Sequence, residues 1–503
     1  MEQNVELRKG KRPFGKRDLI GYFFGDFGCN MSFALQSTYL FIFYTQHIGI
    51  RLEHWAIIIL ITKIFDGIND PIAGFLIDKI GARAKGDKFK PWIKYGGPVL
   101  ALVPMLMFID SSGWSYVARL GICFVTYLAW DLAYTVVNVP YGALNSVMTT
   151  DPVQRTQLST VRSYGAILAS LPLGIIIPMF VYENQAVNGE TVSMFVGQNM
   201  FIIAGALGLV ALASFAILYF NVEERVVVEP ELNEDGEIVE AGVISTVKSL
   251  AKNRPFWGMM VSAVGLLLFT MGANQLYQLT LQMYYNDGTL SSYLTLMYIA
   301  PLVFGGIFGT ALVKRFGKKN VSSYPLIFAA ILLSGAYFIE IPNPYVYLGI
   351  ILVATTIGFG QTLYTWALMS DVIDYQEYIS GSRNEGSVYA LYSMGRKMMQ
   401  GISSSVVPFA ITMIAPTLVA NDPSTWTTQS SLGIRNLSII FAVIGNVIMF
   451  IGFHFIYNLD NKKLEEVNAE LNARRNKKAT ANVGVEVVPE PVDGGLVTAV
   501  ETV

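Results

Sequence analysis

Stretches of about twenty or more predominantly apolar residues follow one another along most of this 503-residue chain. No other feature constrains the fold as strongly. The hydrocarbon core of a bilayer takes about 20 apolar residues per helix. Inside it every backbone polar group needs an internal partner, which helices and closed barrels alone provide. A soluble core has no use for so many runs of this length. Composition agrees: 14% of the residues are charged, against about 25% in ordinary soluble domains. The pattern predicts an all-α membrane protein with twelve transmembrane helices. The spans fall at roughly 19–48, 54–80, 92–110, 116–148, 159–182, 197–221, 257–286, 291–316, 322–341, 345–375, 387–416 and 432–457.

Basic residues set the expected orientation, because lysine and arginine gather in cytoplasmic loops. They cluster before span 1 (Arg8, Lys9, Lys11, Arg12, Lys16, Arg17), after span 2 (Arg83, Lys85, Lys88, Lys90), after span 8 (Lys314, Arg315, Lys318, Lys319) and after span 12 (Lys462, Lys463). The opposite side carries Arg51, Arg119 and Arg435. Both termini are therefore expected in the cytoplasm, with the chain in the plasma membrane. The first apolar run is long and has no small-residue cleavage site, so it reads as a membrane helix. Cys29 and Cys123 lie inside apolar segments and imply no disulfide framework.

The chain divides into a cytoplasmic N-terminal tail (1–18), a six-helix half (19–221), an acidic cytoplasmic loop (222–256), a second six-helix half (257–457) and a cytoplasmic C-terminal tail (458–503). The tail begins amphipathic and then turns Val-, Pro- and Gly-rich, a composition that favours disorder. A six-plus-six division suggests an internal repeat. After span 2 the chain reads GFLIDKIGARAK (Gly74–Lys85); after span 8 it reads TALVKRFGKK (Thr310–Lys319). Both end in basic–X–Gly–X–basic. The first resembles the G-x-L-x-D-[RK]-x-G-x-[RK] signature of the major facilitator superfamily, which implies the major facilitator fold. The second copy lacks the aspartate.

Within span 2 the chain reads KIFDGINDP, from Lys63 to Pro71. Lys63, Asp66 and Asp70 are three and four residues apart, so they share one helix face. At about 1.5 Å per residue, Lys63 lies about 12 Å and Asp70 about 22 Å below Trp55. A charge at the bilayer centre costs roughly 2.5–3.5 kcal/mol, so this face points at protein or a watery cavity. A Lys63–Asp66 ion pair that glues helices is the plain reading. Two carboxylates against one ammonium leave a negative charge for a bound cation or proton, with Asn69 offering another oxygen. Na⁺ at Asp66 and Asp70 is the metal candidate.

Span 4 carries WDLAYTVVNVPYG, with Asp131, Thr135, Asn138 and Gly142 on one face by spacing. Thr135 and Asn138 can serve the same site, a polar substrate, or simple interhelical hydrogen bonds. Other polar groups inside spans are Asp26, Asn30, Arg162, Gln275 and Lys397. Trp366 in span 10 can stack on a sugar ring, above Asp371, Asp374 and Glu377.

Taken together, GDFGCN (Gly25–Asn30), KIFDGINDP, KFKPW (Lys88–Trp92), YTVVNVPYGAL (Tyr134–Leu144), SDVIDYQEY (Ser370–Tyr378) and the surroundings of Lys397 resemble the glycoside–pentoside–hexuronide:cation symporter family over about residues 18–457. The resemblance implies import of a sugar with Na⁺ or H⁺ by alternating access, no other cofactor, and a small-molecule sugar partner. It places the cation at Asp66, Asn69, Asp70 and Thr135. It places the sugar at Asn30, Asn138, Arg162 and Lys397, with Thr362 at the position of a helix-10 tryptophan and Trp366 one turn along. Lys63 stands where the family's melibiose permease type has arginine, and Gly142 where it has tryptophan. Asn30 and Asn138 replace aspartates of that type; Asp26 and Asp131 are nearby acids that can compensate, Asp26 as a further sugar-binding candidate and Asp131 with Lys63 as the candidate charge pair for coupling. Fewer acids suit either an anionic hexuronide or another neutral glycoside.

A lipid- or drug-moving facilitator and a sugar sensor that does not transport are the rival readings. An enzyme is not expected: His47, His54 and His454 are far apart, and no phosphate-binding glycine loop is present. Nucleic acid is not an expected partner, the lipid bilayer is, and a monomer is the expected working unit.

Overall fold

The computed structural model describes residues 6–7, 10–81, 87–149, 151–187, 190–227, 250–381 and 385–483, leaving aside the side chains at 6–7, 70–71, 74–75, 78–81, 146, 152–153, 156, 187, 190, 227, 361–362, 366, 385–387, 389–390 and 475–483. Twelve helical passes form two groups of six. The first group is α1 (Lys16–Ile42), α2 (Leu52–Gly81), α3 (Lys90–Met107), α4 (Tyr116–Met148), α5 (Pro152–Ile176) and α6 (Met200–Asn221). The second is α7 (Arg254–Met283), α8 (Gly288–Phe316), α9 (Lys318–Phe338), α10 (Pro344–Ile357 and Phe359–Ser380), α11 (Glu385–Ile414) and α12 (Thr428–Ile456). A further helix, α13 (Asn461–Val483), packs on α10, where Arg474 donates to the Tyr378 carbonyl at 3.1 Å.

Seven of these helices are long and apolar enough to cross a bilayer on composition alone. α2 is as long, at 30 residues, but carries charge. It resolves the conflict by facing two ways. Ile57, Ile61, Ile64, Ile68 and Ile72 are exposed, and their spacing of three or four residues draws one lipid-facing stripe. Lys63 and Asp66 are buried on the other side.

Several local features differ from the sequence expectation. Span 10 is broken at Gly358 rather than continuous. The connection between α5 and α6 forms an antiparallel hairpin, β2 (Tyr182–Val187) on β3 (Glu190–Phe195). A second short pair joins β1 (Glu6–Leu7) to β4 (Val226–Val227). The acidic loop is not a plain linker at its start. The Glu224 carboxylate, 1% exposed, accepts the backbone N–H groups of Lys88, Phe89 and Lys90 at 2.6, 2.7 and 2.8 Å. These are the orphan donors of the α3 N-terminus, where a negative charge also meets the helix dipole. Arg225 donates to both Asp18 oxygens at 3.0 Å, and Arg12 donates to Asp18 at 2.7 Å and to the Asn221 carbonyl. The tail, α1, α3 and α6 are thereby tied together. The Gly74–Lys85 motif lies largely outside the described residues. In its second copy Gly317 turns α8 into α9 at φ +80°, a conformation that favours glycine, and Lys318 pairs with Asp371 of α10 at 2.7 Å.

The two halves meet along α2 and α11 and again at the end away from the termini. There Gln46 and Gln282 exchange amide hydrogen bonds of 2.8 and 2.7 Å. Gln282 also donates to the Ser193 carbonyl at 3.1 Å, and the Ser193 hydroxyl accepts from the Gly288 N–H at 3.0 Å. Ser292 donates to the Ile175 carbonyl at 3.2 Å. The hairpin of one half thus straps down the other.

Candidate substrate and cation site

α2, α4 and α11 assemble a ladder of alternating charge. Lys63 Nζ donates to Asp131 Oδ1 at 3.0 Å and lies 3.7 Å from Asp66 Oδ2. Asp66 Oδ1 lies 3.8 Å from Lys397 Nζ. The Lys63 ammonium also sits 5.3 Å from the Tyr127 ring centre and 5.5 Å from that of Trp130, within reach of cation–π attraction. Lys63 is 7% exposed and Asp131 2%. Buried charges of this kind persist only when paired. Asp131 Oδ2 has no hydrogen-bond partner. Gly401 of α11 faces the Lys63 side chain so closely that a Cβ there would overlap it. That approach brings Lys397, one turn away, to Asp66.

The ladder changes the charge count read from span 2 alone. Lys63 is shared between Asp66 and Asp131, and Lys397 supplies a second ammonium. Among described side chains the ladder is neutral, with Asp66 and Asp131 against Lys63 and Lys397. Asp70 lies in α2, but its side chain is outside the described residues. Thr135 is buried one turn beyond Asp131, and Asn69 is half-buried. Among the described residues no three His, Cys, Asp or Glu side chains converge as metal ligands.

A second cluster lies nearer the termini. Arg162 Nε of α5 donates to Asp26 Oδ1 of α1 at 3.0 Å. Asn30 Nδ2 donates to Asp26 Oδ2 and to the Asp26 carbonyl, both at 2.9 Å. The guanidinium lies 5.2 Å from the Tyr141 ring centre. Gly142 leaves room beside it, since a Cβ there would stand 3.7 Å from Arg162 Nη1. The Arg162 side chain is 37% exposed although its carboxylate partner is 7% exposed. The cluster therefore offers a charge-assisted donor and acceptor toward an open space. Asn138 is half-buried on α4 between the two clusters.

The structure thus groups Asp26, Asn30 and Arg162 in one place and Lys63, Asp66, Asp131 and Lys397 in another. Lys397 stands beside Asp66 of α2, whereas Arg162 pairs with Asp26 of α1. Thr362 and Trp366 lie in the second segment of α10, and their side chains are outside the described residues. Tyr127, Trp130 and Tyr141 escaped the sequence reading. Their only signal was aromatic spacing along span 4, which lipid-facing residues share.

The profile of the family described as MFS/sugar transport protein matches residues 21–461. The uncharacterized symporter YjmB of Bacillus subtilis (strain 168) is 29% identical over 91% of this chain and 95% of its own length. The glucuronide carrier protein homolog of Escherichia coli (strain K12) is 28% identical over 91% of this chain and 96% of its own. Among solved structures, a bacterial homolog of the human lysosomal transporter Spinster, inward-facing and unoccupied, superposes with a TM-score of 0.61 at 11% identity, covering 89% of this chain and 98% of that one. That likeness speaks to the fold.

Proposed function

Because this chain belongs to the MFS/sugar transport protein family, and is a transport protein rather than an enzyme, we propose that it carries a sugar together with a cation by alternating access between its halves. The observation that carries the reading is the pair of clusters: a hydroxyl-gripping group at Asp26, Asn30 and Arg162, and a charge ladder at Lys63, Asp66, Asp131 and Lys397. The similarity to a symporter and to a glucuronide carrier homolog supports it.

The sugar's hydroxyls donate to Asp26 and accept from Arg162 and Asn30, with Asn138 on the path between clusters. Each described cation of the site already faces a carboxylate, which favours an uncharged glycoside over a hexuronide. The coupling ion, Na⁺ or H⁺, is received at Asp66 with help from Asp70, Asn69 and Thr135. An incoming cation competes with the two ammoniums for Asp66 and loosens Lys397, the ladder's link to the second half. Sugar and cation then favour each other's binding by the same factor. On this reading the terminus-bearing end, rich in basic residues, lies in the cytoplasm and the chain in the cell membrane. The strapped end is then external, and the conformation described faces inward.

The test is uptake into proteoliposomes of labelled neutral glycosides and hexuronides, under inward Na⁺ and H⁺ gradients imposed separately. Accumulation of a neutral glycoside under one gradient supports the reading and names the ion. Accumulation of hexuronides alone overturns the substrate assignment. Folded protein that accumulates no sugar under either gradient overturns symport.

A further inference from the structure

Beyond Lys63, toward the strapped end, the halves enclose a chamber of about 20 Å³. Its lining is unlike the lipid-facing surface and unlike a packed core. Gln36 and Ser37 come from α1, Trp55 and Lys63 from α2, Gln275 from α7, and Gln400 and Ser404 from α11. A cavity of this size holds about one water molecule. Two polar atoms of its lining residues have no partner: Trp55 Nε1, on a residue 1% exposed, and Gln275 Oε1, on a residue 9% exposed. Burying such atoms unpaired is costly, so a water or a ligand hydroxyl that enters the chamber finds an indole N–H and an amide oxygen to pair with.

We propose that this chamber is a second sugar subsite, open when the halves part at the strapped end and reduced to the size of a water when they close. The proposal rests on the sugar-transport reading above. The chemistry is that of carbohydrate recognition. Side-chain amides donate and accept at once, serine hydroxyls do the same, and the indole N–H donates. The Trp55 and Tyr127 rings line the chamber beside these groups, Trp55 with one face stacked on Tyr44. The placement fits as well. Asn30 and Ser37 are seven residues apart on α1, so they share a face about 10 Å apart along the axis. A sugar arriving from the strapped end meets the chamber before it meets Asp26 and Arg162. The residues come from both halves, so closing the halves dismantles the subsite and passes the sugar inward.

The subsite therefore exists for sugar on one side of the membrane only, and transport kinetics from the two sides read it. The experiment uses proteoliposomes of known orientation and a neutral glycoside that the wild type transports. KM is measured for entry from the strapped side and for exit from the terminus side. Gln275→Leu is expected to raise the strapped-side KM about tenfold, the loss of one buried hydrogen bond to a sugar hydroxyl, and to leave the other KM within about twofold. With no gradient imposed, sugar must equalise across the membrane, so Vmax/KM changes equally in both directions. The exit defect then appears as a fall in Vmax. Trp55→Phe, which keeps the ring and removes only the N–H, is expected to give the same split.

Equal rises in both KM values would assign these residues to a site used in every state and overturn the proposal. A rise on one side with a fall on the other would mean that the variant only biases the two conformations, which also overturns it. Unchanged kinetics in both variants would leave the chamber as a hydrated seal. Loss of all transport in both variants, with folded protein present, would make the residues structural and overturn it too. A wild-type protein that moves no sugar fails the symport reading instead, and that outcome is separately visible.

Discussion

Lys63 has two carboxylates within ion-pair reach and two aromatic rings around it. Removing one partner of a buried pair leaves the other charge uncompensated, at about 3–5 kcal/mol, whereas an apolar replacement of both is often near neutral. Asp131→Ala leaves Lys63 only the longer contact to Asp66 and is expected to lower the thermal stability of the purified protein, and Lys63→Met with Asp131→Leu, which leaves Asp66 with Lys397, to recover most of it. A double variant as unstable as the single one would show that the pair is not the unit. Asp66→Asn has a different signature. It removes the charge proposed to receive the coupling ion, so gradient-driven accumulation is expected to vanish while sugar exchange without a gradient persists. Accumulation at the wild-type level would refute the cation assignment. The sequence made Lys63 and Asp66 legible as one helix face, because their spacing is local. It could not show that Asp131, 68 residues on, is the closer partner, nor that Lys397 reaches Asp66. Asp26 and Arg162 were each visible as charges inside spans. Their pairing, across 136 residues, depends on how α1 packs against α5, and periodicity carries no information about that.

Helices are where the sequence reading performed best and loops where it performed worst. Span 4 was read at 116–148 and α4 runs Tyr116–Met148, because a long apolar run with a serine cap defines its own ends. Glu224 was read as one acid among many in a linker. Its role as the cap of α3 depends on a chain reversal that brings residues 135 apart together. Glu224→Ala is expected to lower stability by about 1.5–3 kcal/mol, the range for hydrogen bonds to a charged group. A melting temperature equal to that of wild type would show that water replaces the carboxylate at no cost. The α2–α11 crossing makes a second demand at this scale. Gly401 admits Lys63 only because it has no side chain. Gly401→Val forces the helices apart at an overpacking cost of about 1–3 kcal/mol, and it withdraws Lys397 from Asp66. Transport is expected to fall more than stability does. Full uptake by a stable Gly401→Val protein would mean that the ladder need not span the halves.

At the scale of the whole molecule, a carrier that alternates must break at one end the contacts that hold it shut. Among the described residues those contacts include a polar set, the Gln46–Gln282 amide pair, the Ser193 bonds to Gln282 and Gly288 and the Ser292–Ile175 bond, beside the Tyr182 ring packed on Gly288. The Gln46, Gln282 and Ser193 bonds are buried, and a hydrogen bond contributes about 0.5–1.5 kcal/mol net, so the strap is strong enough to bias the halves and weak enough to open at each cycle. A covalent version should stop the cycle. Gln46→Cys with Gln282→Cys places two thiols where the side chains now touch; these positions are about as buried as the native Cys29 and Cys123, so the reagent is applied during turnover, when the strap opens, with the wild type as the labelling control. A short bifunctional thiol reagent is expected to abolish uptake by the double variant and to spare each single one. The cross-linked protein should still bind sugar presented from the terminus-bearing side, because the Asp26–Arg162 cluster lies nearer that end than the strap. Continued uptake by fully cross-linked protein would show that the halves need not part there, and rocking about a central site would have to be abandoned for this chain. Loss of binding from both sides would instead place the strap within the substrate site itself.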